Sequence, residues 1–393
     1  MRGVRVLDLS RVLAGPYCTM MLGDLGADII KIEAPGLGDD TRHWGPPFAP
    51  GGESAYFLCV NRNKRSMTLN LKSDQGLKIL HGLIKQSDIL VENFRLGTMQ
   101  HWGLDYHKLQ NLRPGLIYCT ITGYGYTGPN RHLAGYDFII QAQGGLMSIT
   151  GPEAGEPYKV GVAIADITAG LFASNAILAA LYEHQRSGRG QRIDISLLDS
   201  QIAWLANVGS NYLISNEKPI RYGNAHPNIV PYQTFKARDG YFALGIGNDN
   251  QWRQFCEKTG KKEWSDDLRF STNSSRVENR KVLIPLLEEL FSQSDIPHWL
   301  SILEASGIPC GPINSVDQAL QDPQVQAREM VIDVPHPSAG TFRMVASPLK
   351  IPTAPTEVRL PPPMLGEHTE QILRELLGYD KMTIQDLREA QVI

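Results

Sequence analysis

The sequence predicts an α/β fold, with a large parallel-sheet domain followed by a smaller α+β domain. Three observations carry this. Strands and helices alternate through the first ~120 residues, as in a sheet whose crossovers are helical. The chain's 393 residues exceed what one hydrophobic core usually holds. From Asn216 the composition turns loop-rich, which sets domain limits at 1–215 and 216–320.

Val4 to Leu9 reads as the first strand. Gly15 and Pro16 open a helix through Leu25 with Gly26 as its C-cap, and Asp28 to Glu33 returns as the second strand. After a Gly/Pro-rich loop, Ser66 to Leu71 is a strand, and Leu77, Leu80, Leu83 and Ile84 form the apolar stripe of a helix. Asp88 to Glu92 and Leu116 to Thr122 are further strands. Ligands of such sheets gather at the strands' carboxyl ends, here Ser10–Arg11–Val12, Glu33 to Asp40, Asn93–Phe94 and Thr122 to Tyr126. No GxGxxG follows the first strand, which disfavours a dinucleotide.

The stretch from Lys159 to Tyr182 contains one isolated acid, Asp166. Thr168 to Leu181 is apolar on every side of a helical wheel, a buried helix whose Ala169, Gly170, Ala173, Ser174 and Ala176 permit close packing. Asp166 stands where an N-cap would, accepting N–H bonds from Thr168 or Ala169. A buried, unpaired acid is also a site candidate, and the two roles are compatible. Arg192 to Ser196 then forms a strand and Asp199 to Leu213 a helix. In the smaller domain, Gly240 to Ile246 is a strand, with helices around Gln251 to Lys258, Val282 to Phe291 and Trp299 to Ala305. Near the end, a GEHT turn caps an amphipathic helix, and the Thr383-to-Asp386 spacing resembles a capping box.

Charged residues are 20% of the chain, the net charge is −3, and no basic stripe exists to track a phosphate backbone, so nucleic acid is excluded as a partner. Five scattered cysteines form no CxxC pair, which points to a reducing compartment and no zinc or other metal. No stretch reads as a membrane span, and Met1 leads at once into a strand, leaving no room for a signal sequence. The expected location is the cytoplasm, or the mitochondrial matrix after loss of a transit peptide. Arg11, Arg42, Arg62, Lys64 and Arg65 sit in the loops around the sheet. NRNKRS at 61–66 is either a solvated turn before a strand or a phosphate cradle.

Ten strings in order resemble the class III CoA-transferases across essentially the whole chain. Among them are LDLSRVLAGP (7–16), GDDTR (38–42), NKRS (63–66), VENF (91–94), TGYG (122–125), GRGQ (188–191), GIPCGP (307–312) and LGEHT (365–369). Within the family, the likeness is greatest to members that pass CoA from succinyl-CoA to glutarate. The resemblance implies a large Rossmann-like domain completed by a C-terminal return segment, 321–393, and an interlocked homodimer. It implies acyl-CoA and carboxylic acid substrates, with no tightly bound cofactor. It also implies a nucleophilic aspartate at Asp166, kept ionised by its helix N-terminus. Val12, Leu13, Ala14, Leu69, Asn93 and Phe94 match CoA contacts, and Asp137, beside Tyr136, matches a carboxylate near the catalytic centre. Two basic CoA-binding positions of formyl-CoA transferases fall at Ala34 and His101, so Arg42, Arg62, Lys64 and Arg65 are expected to carry the phosphate charge instead.

The glycine-rich lid loop of those enzymes is replaced by GNAHPNIV (223–230). His226 there either holds an acceptor's far carboxylate or packs in a turn beside Pro227. Two rival readings share the fold or its ligand. One is α-methylacyl-CoA racemase chemistry, disfavoured because Tyr136 stands where those enzymes have a histidine base and an ordinary tyrosine pKa is ~10. The other is a CoA-ester binding protein without catalysis.

Overall fold

The computed structural model describes residues 1–352 and 356–393, so Thr353, Ala354 and Pro355 of the Pro-rich return lie outside the described residues. The chain divides into two compact units. The first takes residues 1–146, 160–210 and 323–393, and the second takes 147–159 and 211–322. Residues 147–159, expected in the large domain, therefore pack with the second unit.

The first unit is built on six strands, β1 (Arg5–Asp8), β2 (Asp28–Glu33), β3 (Lys64–Thr68), β4 (Ile89–Glu92), β5 (Ile117–Thr122) and β6 (Arg192–Ser196). Their order is β3-β2-β1-β4-β5-β6, and every pairing is parallel. The strand order reverses between β1 and β4. At that point the following loops diverge to opposite sides and leave a crevice.

Both faces of the sheet are covered, which explains why β4 is buried along its whole length. On one face, the amphipathic helix Asp74–Lys85 packs with the late helices Thr369–Leu377 and Lys381–Glu389 around Leu80, Leu83, Ile372 and Leu387. On the other, Ala14–Asp24 and the 24-residue helix Ile164–Ser187 enclose Val6, Ile29, Val91 and Ile117. That long helix is apolar enough to cross a membrane by length and composition. Here Ala165, Ala169, Ala173 and Ile177 bury it against the sheet.

Its small residues set the spacing. A Cβ at Gly170 would lie 2.6 Å from the Ala14 carbonyl oxygen and 3.3 Å from the Cys18 nitrogen. Only glycine lets the two backbones approach this closely.

The second unit has its own core beneath a three-stranded antiparallel sheet of β7 (Tyr232–Lys236), β8 (Tyr241–Gly245) and β9 (Cys310–Pro312). Phe235, Phe242, Trp252, Phe255, Phe291 and Trp299 fill that core. An antiparallel pair, β10 (Val331–His336) and β11 (Gly340–Val345), belongs to the first unit.

Three local expectations need correction. The helix expected over 199–213 is two helices, Leu197–Ala203 and Ala206–Ser215, separated where Ala206 takes φ +38°. The last helix is capped by Asp380, whose carboxylate accepts the Thr383 N–H at 2.8 Å, so Thr383 is the third residue in and not the cap. Asp166 is also no N-cap, because the long helix begins at Ile164 and places it in the first turn.

Replacing Gly170 with alanine should force the two helices apart and cost on the order of 1–3 kcal/mol of stability, read as a lower urea midpoint. An unchanged midpoint would show that this approach has slack.

Candidate active site

At the switch point a cavity of about 190 Å3 opens between the loops after β1, β4 and β5. Asp166 lines it together with Val12, Leu13, Ala14, Asn93, Phe94 and Tyr136, so seven residues singled out in sequence meet in one place. A larger cavity of about 750 Å3 lies over the ends of β1, β2 and β3 and includes Leu69. Arg11, Asp40 and Phe94 line both cavities and mark where they adjoin.

Asp166 sits in the first turn of the long helix, and no donor among the described residues bonds its carboxylate. The capping bond comes from elsewhere. Asp137 accepts the Ala165 N–H at 2.8 Å on one oxygen and the Gln141 amide at 2.8 Å on the other. Burial, and then the charge of Asp137, push the Asp166 carboxyl up to about 7. The expectation that the helix terminus keeps Asp166 fully ionised is thereby corrected, since desolvation and a like charge outweigh the helix dipole. At neutral pH the group is poised between acid and carboxylate, a perturbation that marks a candidate functional group.

The four cations expected to bind phosphate line neither cavity. The Arg42 guanidinium donates twice to Glu33, at 2.8 and 2.7 Å, and stacks on Phe57. Arg62 donates twice to Asp24, at 2.9 and 2.7 Å, and once to the Val345 carbonyl. Lys64 is fully buried with its three N–H groups on Asp8, Asn61 and the Pro16 carbonyl, each at 3.0 Å. Arg65 donates to Asp28 and Glu375. Their charge is already neutralised inside the fold, so the phosphate assignment fails for all four.

The cations lining the larger cavity are Lys31, buried on Asp39, and Arg11, Lys72 and Arg388, of which Arg11 reaches Asp40 at 3.4 Å and Arg388 reaches Glu370 at 3.3 Å from exposed positions. Arg11 is legible as a carboxyl-end loop residue and Lys72 follows β3 closely. Arg388 arrives on the last helix, and nothing near it in sequence marks it. Arg131 and His132 line the Asp166 cavity, with Arg131 donating through Nε to His132 Nε2 at 3.0 Å.

His226 lies in the second unit. Its Nδ1 accepts the Asn228 N–H at 3.0 Å and its ring meets Tyr232 edge-on at 5.5 Å. Burial and nearby Arg280 lower its pKa. The loop around it is pinned, since Arg280 donates to the His226 and Pro227 carbonyls and Arg276 to that of Val230.

Comparison with known proteins matches this architecture. The family model described as CoA-transferase family III covers residues 1–369. The chain is 47% identical to the Mus musculus protein named succinyl-CoA:glutarate CoA-transferase, over all of this chain and 90% of that one. It is 44% identical to succinate--glutarate CoA-transferase of Agrobacterium fabrum, over 95% of each. The crystal structure of a CAIB/BAIF family protein from Brucella suis superposes with TM-score 0.84 at 46% identity, covering 95% of this chain and 98% of that one.

The raised pKa of Asp166 has a measurable sign. A fold that holds a proton more tightly than the open chain loses stability as pH rises from about 4 toward 7. Asp166→Asn should therefore melt at a higher temperature than the parent at pH 8, with the gap closing as pH falls toward 4. A gap independent of pH would contradict the shift.

Proposed function

The chain belongs to CoA-transferase family III and is a CoA-transferase acting on acyl-CoA and carboxylate substrates, and from that premise we propose that it moves CoA from succinyl-CoA to glutarate or a close dicarboxylate through Asp166. The observation carrying this reading is the unpartnered, desolvated Asp166 carboxylate in a cavity at the sheet's switch point. Attack by the carboxylate on the thioester carbonyl expels CoA thiolate and forms a mixed anhydride. The thiolate then attacks the aspartyl carbonyl, releasing the donor acid and leaving an aspartyl thioester. The acceptor's carboxylate repeats the two steps in reverse, which frees Asp166 and yields the new CoA ester. Enclosure keeps water from the anhydride.

The nucleotide end of CoA suits the larger cavity, where Arg11, Lys72 and Arg388 supply charge for phosphate. From there the thioester reaches Asp166 past Phe94, which lines both spaces. A dicarboxylate needs its second carboxylate fixed, because orientation supplies much of the rate. Arg131 is the cation we assign to it, since it lines the Asp166 cavity with no carboxylate partner among the described residues. The ring of His226, its Nδ1 already taken by the Asn228 N–H, makes that residue the weaker choice. A homodimer fits the exposed Leu171, Phe172 and Tyr182 along the long helix.

Hydroxylamine added with succinyl-CoA should convert Asp166 to a hydroxamate, detected by peptide mass spectrometry, and Asp166→Ala should lose at least a thousandfold in rate, roughly the cost of removing a nucleophile. Full activity in that variant with no modified peptide would end the covalent route. Arg131→Leu should raise KM for glutarate by about 10- to 100-fold, on the order of 1.5–3 kcal/mol for a charge-assisted bond, while sparing a monocarboxylate such as butyrate. Equal effects on both acids would remove Arg131 from the far-carboxylate role.

A further inference from the structure

The segment joining β1 to the helix Ala14–Asp24 makes no regular structure, yet its backbone polar groups are held one after another by side chains. The Ser10 N–H donates to Asp8 at 3.0 Å, and the Ser10 carbonyl accepts from Lys31 Nζ at 2.9 Å. The Asn93 amide grips Arg11 at both ends, accepting its N–H at 2.9 Å and donating to its carbonyl at 2.8 Å. The Val12 N–H donates to both Asp39 oxygens, at 3.2 and 3.3 Å. Five consecutive groups are thus tied to residues of four other segments.

Val12 itself sits at φ +71°, in the left-handed region. For a β-branched residue that conformation is an outlier, costing on the order of 1–3 kcal/mol, and it persists only where the surroundings impose it. Asp39 imposes it here. Its carboxylate is paired with Lys31 at 2.8 Å, and both side chains are shut off from solvent. Thr41 adds an N–H bond at 3.0 Å and a hydroxyl bond at 2.8 Å to the same Asp39 oxygen. The acid is therefore fixed in place and fully charged, since Lys31 and Thr41 outweigh burial and hold its pKa well below the usual range. Beyond Val12 the chain enters the Asp166 cavity with Leu13 and Ala14.

We propose that Asp39, charged and held by Lys31, is a positioning residue for transfer: it keeps Val12 left-handed and so aims the Leu13–Ala14 backbone at the ester formed on Asp166. This rests on the reaction proposed above. Asp39 touches no reacting atom and acts only through residue 12.

The role predicts a rescue that a purely structural ion pair would not give. Asp39→Ala should slow hydroxamate formation at Asp166 by about 10- to 100-fold at saturating succinyl-CoA, and should lower the melting temperature because Lys31 is left unpaired. Val12→Gly alone removes a cavity-lining side chain but takes φ +71° without cost, so its own rate is the baseline for the double variant. The pair Asp39→Ala/Val12→Gly should run close to the Val12→Gly rate and well above that of Asp39→Ala, while its melting temperature stays low. Equal slowness of the single and double variants, or an unimpaired Asp39→Ala, would overturn the proposal. Should Asp39→Ala fail to fold, Lys31→Met/Asp39→Ala removes both charges and allows the same comparison with and without Val12→Gly.

A parent protein that forms no adduct would count against the transfer reaction and not against the clamp. The clamp is then read from crystal structures of the parent and Asp39→Ala, where residue 12 should move to negative φ. A left-handed Val12 in that variant would refute it.

Discussion

A parallel sheet covered on both faces has no solvent in which to leave a charge, and this one buries Asp8, Lys31 and Glu33 toward the carboxyl ends of β1 and β2 and Lys64 at the start of β3. Each is tolerable only with its partner. Burial alone would raise the Asp8 carboxyl, but Lys64 and Lys31 bring it below its ordinary value. Burial lowers Lys64 to about 8 even with Asp8 beside it. Such pairs contribute little net stability compared with apolar packing, but losing one partner strands the other. What they provide is definition. The loops after β1 and β2 are fixed to one another through Lys31 before any ligand arrives, and the crevice at the switch point inherits that rigidity.

Periodicity made much of the first unit legible, because β2 and the stripe of the Asp74–Lys85 helix depend on local pattern alone. The isolation of Asp166 was equally visible, since it needs only the absence of neighbouring charge. The partners of charges were not visible. NRNKRS shows three cations and no acid, yet Asp24, Asp8 and Asp28, which pair with Arg62, Lys64 and Arg65, lie 37 to 56 residues earlier in the chain. A cation in a loop looks the same in sequence whether it awaits a phosphate or already holds a carboxylate. Arg388 failed for the converse reason, as its place in the larger cavity depends on where a late helix packs. The hairpin β10–β11 also escaped, its register resting on pairing across the turn.

Under the proposed reaction, the Asp166 environment gives up stability for reactivity. Asp137 could have been a neutral cap for the long helix; as an acid it both starts the helix and raises its neighbour's pKa. A more stable site would hydrate or pair Asp166, and a paired carboxylate is a poorer nucleophile. The close approach at Gly170 serves the same end from below, setting the long helix against the Ala14 carbonyl one turn beyond Asp166.

The larger cavity is walled by residues 9–40 and 69–72 on one side and by Arg388, Gln391 and Ile393 on the other. Its two walls are therefore made far apart in time. At ribosomal speeds of about 5–20 residues per second, roughly twenty seconds to more than a minute separate their emergence. Throughout that interval the nascent first strands carry an open ledge and not an enclosed cavity. A message cut short near its 3′ end would thus yield a chain with all six strands and the residues of the Asp166 pocket but a breached wall to the larger cavity, so tags or truncations at this end bear directly on the proposed CoA site.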